Sequence, residues 1–220
     1  MKAMILAAGL GERMMPLTKN TPKPLIKVKD IALIEHSINA LKKANITDIV
    51  INTAYLGEQI QTHLGDGSTF DVNITYSNEP EGALETAGGI IKALSLLGKD
   101  PFIVINSDVI CDYDLSKLTL PIGSLAHLLL IDNPPHNPNG DFSLTNGHQI
   151  TNIHGQSYTF SGIGIYHPDL FKSHLEIEQK LPLYPLLKAA IANNQLSGEH
   201  YNGLWQDIGT PERLKTFENT

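Results

Sequence analysis

The stretch that decides the fold is AMILAAGLGER, residues 3–13. Six apolar residues, Ala3 to Ala8, stop abruptly at Gly9. A short apolar run closed by glycine is typical of a parallel strand that is buried on both faces and followed by a turn. A secretory leader would need an apolar core of about 7 to 15 residues, and Glu12 and Arg13 come too early for that. We therefore expect a buried strand at the N-terminus.

The same alternation continues along the first half of the chain. Apolar residues at spacings of three and four predict helices, and short apolar or alternating runs predict strands. In order, the pattern predicts a helix from a cap at Asp30 to Lys43, a strand over 48–52, a helix over 56–64, a strand over 72–76, a helix over 86–97 and a strand over 101–106. Strands that alternate with helices favour a parallel sheet with right-handed crossovers.

The second half of the chain is less regular. Strands are expected over 125–131 and 158–166, and helices over 182–193 and 211–218. We expect a mixed sheet there. No internal repeat, linker or low-complexity segment divides the chain, so the sequence predicts a single catalytic domain over residues 1–220 without a C-terminal extension.

Composition and charge exclude several classes of function. The chain has 220 residues, 41% of them hydrophobic, and a formal net charge of −7. An acidic chain of this kind is not expected to bind nucleic acid as its main partner, and no segment reaches transmembrane length. Cys111 is the one cysteine, so neither an intrachain disulfide nor a zinc site built from cysteines is possible. A reducing, cytoplasmic location is predicted.

A basic loop interrupts this acidic background. Residues 1–29 carry six basic side chains against Glu12 alone, which suggests a local anion site. Glycine and proline make residues 9–24 a poor helix, and the loop follows the first strand, where open α/β sheets bind their ligands. A dinucleotide-binding fingerprint would need glycine where Met14 stands, and no Walker A motif occurs,.

Four residues of this loop suit phosphate. The backbone N–H groups of Gly9 and Gly11 are open to close approach. Arg13 can bind phosphate oxygens with two hydrogen bonds, and Lys23, between two prolines, supplies a point charge. This set suits a nucleoside triphosphate. A surface loop with solvated charges is the alternative.

Two acidic residues are candidates for a metal site. Asp108 follows the strand predicted over 101–106, so it should lie at the ligand-binding edge of the sheet, where Mg²⁺ is bound by one or two carboxylates, substrate phosphates and water. A carboxylate that caps a turn is the alternative. Asp207 lies close after Trp205 and shortly before Pro211, so it is either a second metal carboxylate or a neighbour of a core tryptophan at a helix start.

Residues 79–89, EPEGALETAGG, predict a turn that leads into a helix. Glu79, Glu85 and Thr86 could hydrogen-bond a base or a ribose there, although helix capping alone would explain Thr86. The nine histidines have no metal-binding spacing, and no G-x-S-x-G occurs, which leaves no support for a zinc site or a serine hydrolase.

Together, residues 7–13 (AAGLGER), 16–18 (PLT) and 22–24 (PKP) resemble the signature of the sugar-1-phosphate nucleotidylyltransferases. The segments 106–108 (NSD), 161–163 (SGI) and 205–211 (WQDIGTP) follow in the order that this family would place them, so the resemblance covers nearly the whole chain. It implies a Rossmann-like three-layer αβα domain with a mostly parallel, mixed central sheet, the nucleotide-diphospho-sugar transferase type. It also implies an enzyme that couples a nucleoside triphosphate to a sugar 1-phosphate with Mg²⁺ and releases pyrophosphate.

The resemblance also implies roles for individual residues. Arg13 would hold and activate the leaving pyrophosphate, Lys23 would contact the α-phosphate, and Asp108 and Asp207 would hold Mg²⁺, so that Arg13, Lys23 and Asp108 are the expected catalytic residues. No protein nucleophile is expected, because catalysis would rest on positioning and charge neutralisation. The remaining nucleotide contacts are expected at Ala7, Ala8, Gly9, Gly11, Glu79, Glu85 and Thr86, and the sugar phosphate contacts at Asn106, Gly140, Asp141 and Ser161.

Within the family, the short chain is most similar to the uridylyltransferases of bacterial cell-wall recycling, on segments such as 55–57 (YLG) and 140–142 (GDF). This implies UTP and N-acetylmuramic acid 1-phosphate as substrates. The resemblance does not fix the oligomeric state; we expect a monomer, because the family's usual assembly elements often lie in C-terminal extensions that this sequence lacks. A mannose-1-phosphate guanylyltransferase is the alternative within the family, and a noncatalytic nucleotide-sugar sensor is the alternative of another class. Met15 stands where the family often has a second basic residue. Glu85 stands where guanylyltransferases and other members of the family commonly have glycine.

Overall fold

The computed structural model describes residues 1–80, 83–145, 148–151, 156–174 and 178–219. Its strands are β1 (Lys2–Leu6), β2 (Lys27–Val28), β3 (Ile31–Ala32), β4 (Asp48–Thr53), β5 (Asn73–Asn78), β6 (Phe102–Asn106), β7 (Val109–Cys111), β8 (Ala126–Ile131), β9 (Phe142–Leu144), β10 (Ile150–Thr151), β11 (Ser157–Tyr166), β12 (Leu196–Tyr201) and β13 (Trp205–Asp207). Its α-helices are α1 (Leu33–Lys43), α2 (Gly57–Leu64), α3 (Glu85–Leu97), α4 (Tyr184–Ala192) and α5 (Pro211–Glu218). None of the helices in these residues is long and apolar enough to cross a membrane.

The central sheet is mixed and mostly parallel, as predicted. Its main path runs β10-β9-β11-β6-β1-β4-β5, and β8 extends it from β11 to β12. The core strands β6, β1, β4 and β5 pair in parallel, whereas β11 runs antiparallel to β6, β8 and β9. Within the described residues, every strand of this sheet except β10 and β11 therefore runs in one direction.

Helices cover both faces of the sheet, which gives three layers. Successive side chains of a strand point to opposite faces, so Met4 of β1 packs into the core formed with α3 and α4, whereas Ala3 and Ile5 pack into the core formed with α1 and α2. All three side chains are fully buried. This double burial is the reason that the strand has an uninterrupted apolar run rather than an alternating pattern.

The start of the first helix differs from the prediction. Helix α1 begins at Leu33 with Ala32 as its cap, not with Asp30. Residues 27–32 instead form a two-stranded hairpin, β2 with β3, and Asp30 lies in its turn with a positive φ of 67°. Aspartate tolerates this left-handed conformation better than most residues do, which makes it suitable for the turn rather than the cap.

Candidate active site

The carboxyl ends of the parallel core strands meet at one edge of the sheet, where open α/β sheets bind ligands. The loops that leave β1, β4, β5 and β6 enclose a cavity of about 400 Å³, here called the first cavity. Its lining includes most of the residues that the sequence predicted for the site: Ala7, Ala8, Gly9, Arg13, Lys23, Glu79, Glu85, Thr86, Asn106 and Asp108.

The loop after β1 is built around Gly11. This residue has a left-handed φ of 66°, and a Cβ atom there would lie 3.0 Å from Thr18 Cγ2 and 3.1 Å from Lys23 Cβ. The buried Thr18 hydroxyl donates to the Gly11 carbonyl at 2.8 Å and closes the loop. Three short 3-10 helices, at Glu12–Met14, Leu17–Lys19 and Lys23–Leu25, replace the α-helix that the prolines prevent,.

Gly9 leaves space in the first cavity and is not needed for the conformation of the loop. It lines the first cavity, its φ lies outside the left-handed region, and a Cβ there would have no neighbour within 4 Å. Nothing in the packing around Gly9 therefore requires a glycine. The open space suits a ligand that approaches the backbone closely.

Lys23 and Asp108 form an ion pair at the floor of the first cavity. Lys23 Nζ donates to Asp108 Oδ2, and the two side chains are 13% and 20% exposed. Asp108 follows β6, and Lys23 comes from the loop after β1, so the pair joins two segments that are 85 positions apart. One ammonium and one carboxylate thus face the cavity together.

Asp207 lies on the strand next to Asp108. Strands β7 and β13 pair antiparallel with Asp207 opposite Val109, and the Ile208 N–H donates to the Asp108 carbonyl at 2.8 Å. Arg213 Nη1 donates to Asp207 Oδ2, and the buried Asp207 Oδ1 has no hydrogen bond but lies 3.4 Å from His136 Nε2. The structure thus places the backbones of the two residues predicted to bind metal side by side, although Asp207 lies outside the lining of the first cavity.

Asp108 and Asp207 supply carboxylate oxygens, the type of ligand that Mg²⁺ prefers. One oxygen of each is engaged by a basic side chain, Lys23 on Asp108 and Arg213 on Asp207. The described ranges hold no group of three or more His, Cys, Asp or Glu side chains that could bind a metal, so a metal here would take its remaining ligands from water and substrate oxygens. Mg²⁺ is usually bound in this way.

A second cavity, of about 750 Å³, adjoins the first. Both are lined by Glu85, Thr86 and Asn106, and the second is also lined by Gly140 and Asp141. Glycine is required at position 140, where φ is 63° and a Cβ would lie 2.3 Å from Ser157 Oγ. Asp141 Oδ2 accepts from the Phe160 N–H at 2.8 Å, so this carboxylate also ties its loop to β11.

Ser161, predicted to contact the sugar phosphate, does not line either cavity. Its side chain is 1% exposed, and its hydroxyl accepts from the Ile163 N–H at 3.1 Å. The residue that matters in this segment is Gly162, where an irregularity in β11 gives a φ of 81° and a Cβ would lie 2.6 Å from Asn106 Nδ2. The segment thus makes room for Asn106 instead of supplying a hydroxyl.

Sequence reasoning did not single out Asn52 or Arg213. Asn52 is the penultimate residue of β4, lines the first cavity and is 4% exposed. A polar residue at the end of an apolar strand is the signal that could have identified it. Arg213, the partner of Asp207, had no such signal, because a basic residue on a short polar helix is common at the protein surface.

The other polar groups after β6 have structural partners. Burial raises the pKa of the Cys111 thiol to about 11, so the thiol remains protonated at neutral pH and is a poor nucleophile. Asp112 accepts a hydrogen bond from the Tyr201 hydroxyl, and Asp114 accepts from the Ser116 N–H at 3.1 Å. Asp112 and Asp114 are thus held by contacts within the protein.

Comparison with known proteins places this geometry in a family. A family model described as nucleotidyl transferase matches residues 2–220. The chain belongs to the nucleotidyl transferase family. Family membership confirms the resemblance seen in the sequence motifs, and it confirms the prediction that the chain is an enzyme of nucleotidyl transfer.

Individual members of the nucleotidyl transferase family resemble the chain over nearly its whole length. An N-acetylmuramate alpha-1-phosphate uridylyltransferase from Neisseria meningitidis is 51% identical, over 98% of this chain and 96% of that protein. A mannose-1-phosphate guanyltransferase from Hypocrea jecorina is 32% identical, over 96% of this chain but 62% of that protein's length.

The fold agrees with a solved structure of the same family. A Bacillus anthracis protein assigned as a glucose-1-phosphate thymidylyltransferase superposes with a TM-score of 0.85 at 26% identity, over 99% of this chain and 94% of that one. The α/β fold with a mostly parallel, mixed sheet is confirmed by this match.

Proposed function

We propose that the chain transfers a uridylyl group from UTP to N-acetyl-α-muramic acid 1-phosphate. The products are UDP-N-acetylmuramic acid and pyrophosphate, and the reaction belongs to bacterial peptidoglycan recycling. The observation that carries the proposal is the pair of adjoining cavities, one with a glycine loop and two basic side chains, which meet at Asn106, Glu85 and Thr86. The relative that is 51% identical, named for this reaction, supports the choice of nucleotide and sugar.

In this reaction the first cavity binds the triphosphate and the second binds the sugar. The Gly9 backbone lies against the phosphates, Gly11 holds the turn that presents it, and Arg13 holds the pyrophosphate that will leave. Lys23, beside Asp108 in the cavity floor, contacts the α-phosphate. A phosphate oxygen of the sugar 1-phosphate attacks the α-phosphorus in line, while the bond from that phosphorus to the oxygen bridging to the β-phosphate breaks. Its electron pair leaves with pyrophosphate, so no protein nucleophile is needed.

Asp108 and Asp207 would hold Mg²⁺ in this reaction. The ion, when bound, neutralises charge on the phosphate oxygens. Arg213 engages Oδ2 of Asp207, so Oδ1, which has no hydrogen bond and lies 3.4 Å from His136 Nε2, is the oxygen that would face the ion. Gly209 permits the arrangement, because a Cβ there would lie 2.5 Å from Arg213 Nη2.

Guanylyl transfer to mannose 1-phosphate is the second candidate in the same class, and the 32% identical relative favours it. Glu85 argues against it, because this residue lines both cavities with a φ of 60° at a position where guanylyltransferases commonly have glycine. A noncatalytic sensor would not need the Lys23, Asp108 and Asp207 cluster. We further propose that residues 1–220 act as one catalytic domain and that the enzyme is a cytoplasmic monomer.

The test is pyrophosphate release from UTP, GTP, dTTP and CTP, each with the 1-phosphates of N-acetylmuramic acid, glucosamine, glucose and mannose, with and without Mg²⁺. We expect release from UTP with N-acetylmuramic acid 1-phosphate that depends on Mg²⁺. Asp108→Asn should abolish turnover, and Lys23→Ala should lower it strongly. The matched control is Asp114→Asn, whose side chain is 51% exposed and lies outside both cavities.

Each other outcome has a definite meaning. A preference for GTP with mannose 1-phosphate would refute the uridylyltransferase assignment and retain the family. UTP binding without release from any pair would favour the sensor. Wild-type turnover in both the Asp108 and the Lys23 variants would refute the mechanism.

A further inference from the structure

A chain of three hydrogen bonds crosses the floor of the first cavity. The Ala7 N–H donates to Asn52 Oδ1 at 2.8 Å, Asn52 Nδ2 donates to Glu79 Oε1 at 2.6 Å, and the Leu84 N–H donates to Glu79 Oε2 at 2.7 Å. Asn52 and Glu79 are 4% and 9% exposed. Both Glu79 oxygens, which the sequence suggested for nucleotide contact, thus accept hydrogen bonds from within the protein.

These three hydrogen bonds connect two walls of the first cavity, which is taken to bind the nucleotide. Ala7 begins the glycine loop after β1 and forms one wall, and Leu84 immediately precedes helix α3, whose first residue Glu85 forms another wall. The Leu84 carbonyl also accepts from the Leu181 N–H at 3.0 Å, so hydrogen bonds hold this residue from both sides. Its neighbours Ala83 and Glu85 have positive φ angles of 50° and 60°, a conformation that L residues keep only when their surroundings impose it.

Helix α3 packs tightly against the hydrogen-bonded side chains of Asn52 and Glu79. A Cβ atom at Gly89 would lie 2.5 Å from Glu79 Oε1 and 3.0 Å from Asn52 Nδ2. A side chain larger than hydrogen at position 89 would therefore displace the carboxylate. The glycine lets the helix approach the ends of β4 and β5 closely enough for Glu79 to reach Leu84.

The direction of the three hydrogen bonds requires a carboxylate at position 79. Both ends are backbone N–H groups, which only donate. Asn52 presents its oxygen to Ala7, so its NH₂ group faces Glu79. Glu79 must then accept at both oxygens, and an amide at position 79 would place a donor against a donor. A buried donor left without an acceptor is destabilising.

We propose that Glu79 and Asn52 are positioning residues that set the separation of the two walls of the nucleotide cavity, and that Glu79 does not itself contact the base. This inference rests on the proposed function in that the cavity is taken to bind UTP. The effect of Glu79 on nucleotide affinity is exerted through Leu84 on one wall and through Asn52 and Ala7 on the other.

The test reverses the central hydrogen bond. In the double variant Asn52→Asp/Glu79→Gln, residue 52 accepts from the Ala7 N–H and from the new amide, and the oxygen of that amide accepts from the Leu84 N–H. Total charge and side-chain sizes are preserved. Each single variant disrupts the central hydrogen bond for a different reason. Glu79→Gln places two donors together, and Asn52→Asp places two carboxylates together.

The measurements are UTP affinity by isothermal titration without sugar phosphate, KM for each substrate, and the free energy of unfolding. We expect each single variant to raise the UTP dissociation constant at least tenfold, about 1.4 kcal/mol, with KM for the sugar phosphate unchanged. The double variant should return to within about threefold of wild type, in affinity and in stability. The control is Asn78→Asp, which adds the same charge next to Glu79 but does not line the cavity and keeps an acceptor for Thr53.

Two results would overturn the inference. If the double variant binds UTP as weakly as Glu79→Gln although its stability is restored, Glu79 contacts the nucleotide directly. If the single variants are as stable as wild type, the three hydrogen bonds do not depend on one another for their stability. A wild-type protein that binds none of the four nucleotides refutes the proposed function instead, and the stability cycle still tests the hydrogen-bond chain.

Discussion

Substitution of two glycines in the loop after β1 distinguishes an effect on phosphate binding from an effect on folding. Gly11→Ala places an L residue at a φ of 66°, with its Cβ 3.0 Å from Thr18 Cγ2. Gly9→Ala places a methyl group where no heavy atom lies within 4 Å, although it lines the first cavity. The two substitutions are chemically identical and two positions apart, so each serves as the control for the other.

The expected magnitudes have opposite signs for stability. The left-handed conformation costs an alanine about 1–2 kcal/mol, which for a chain of this size lowers the melting temperature of Gly11→Ala by about 2–8 °C. Gly9→Ala reduces the entropy of the unfolded chain without strain, so its stability should be unchanged or higher by about 0.4–1 kcal/mol. Loss of one hydrogen bond to a charged phosphate, about 1.5–3 kcal/mol, predicts UTP binding weaker by about tenfold or more in Gly9→Ala.

The assays are thermal unfolding of the free proteins and isothermal titration with UTP. Wild-type UTP affinity in Gly9→Ala would refute the assignment of phosphate contact to this backbone. A lower melting temperature in Gly9→Ala than in Gly11→Ala would refute the structural part of the reasoning.

Three further predictions concern charged and titratable groups. Lys23→Met should lower the free energy of unfolding by about 1–3 kcal/mol, because it leaves Asp108 without its partner, and should lower kcat/KM by about 10²–10³. Asp108→Asn in the same background should recover stability but not turnover. Wild-type kcat/KM in Lys23→Met would contradict the assigned role. Because the Cys111 pKa is raised to about 11, its alkylation by iodoacetamide at pH 8 should be at least about a hundredfold slower in the folded than in the urea-unfolded protein; equal rates would show the thiol to be open to solvent. His127, whose Nε2 lies 3.6 Å from Glu199 Oε1, lowers the pKa of Glu199 from its ordinary value. This carboxylate therefore stabilises the fold above the ordinary pKa of a glutamate, and the contribution is lost as pH falls through the lowered value. Glu199→Gln should be less stable than wild type at pH 7 but not at pH 3, in urea denaturation, and an equal difference at both pH values would contradict the assignment.

The main helices and strands followed from local pattern. The strand and helix predictions from residues 48 to 131 agree with the structure to within two residues at each end, and the helix predicted over 211–218 is Pro211–Glu218. Periodicity carries this information because a strand buried on both faces needs an apolar run, and an amphipathic helix needs an apolar stripe. The short strands β7 and β13 were not predicted, because three residues contain too little periodicity.

Much of the candidate site also followed from sequence. Gly9, Arg13, Lys23 and Asp108 were singled out from the chemistry of the loop and the strand end, and the structure places them around one cavity. Their contact with UTP, and the binding of Mg²⁺, remain predictions. Ser161 shows the limit of the approach, because a serine in a strand has the same sequence pattern whether it faces a cavity or, as here, the core.

The sequence by itself therefore determined the alternation of strands and helices, the irregular basic loop after β1 and the family. Only the tertiary structure decided how side chains from distant segments pair. It turned both oxygens of Glu79 toward Asn52 and Leu84, and it placed Arg213 on one oxygen of Asp207 and His136 near the other. The physical reason is that periodicity is a local property of the chain, whereas the direction of a buried hydrogen bond depends on strand register and on donors contributed by other segments.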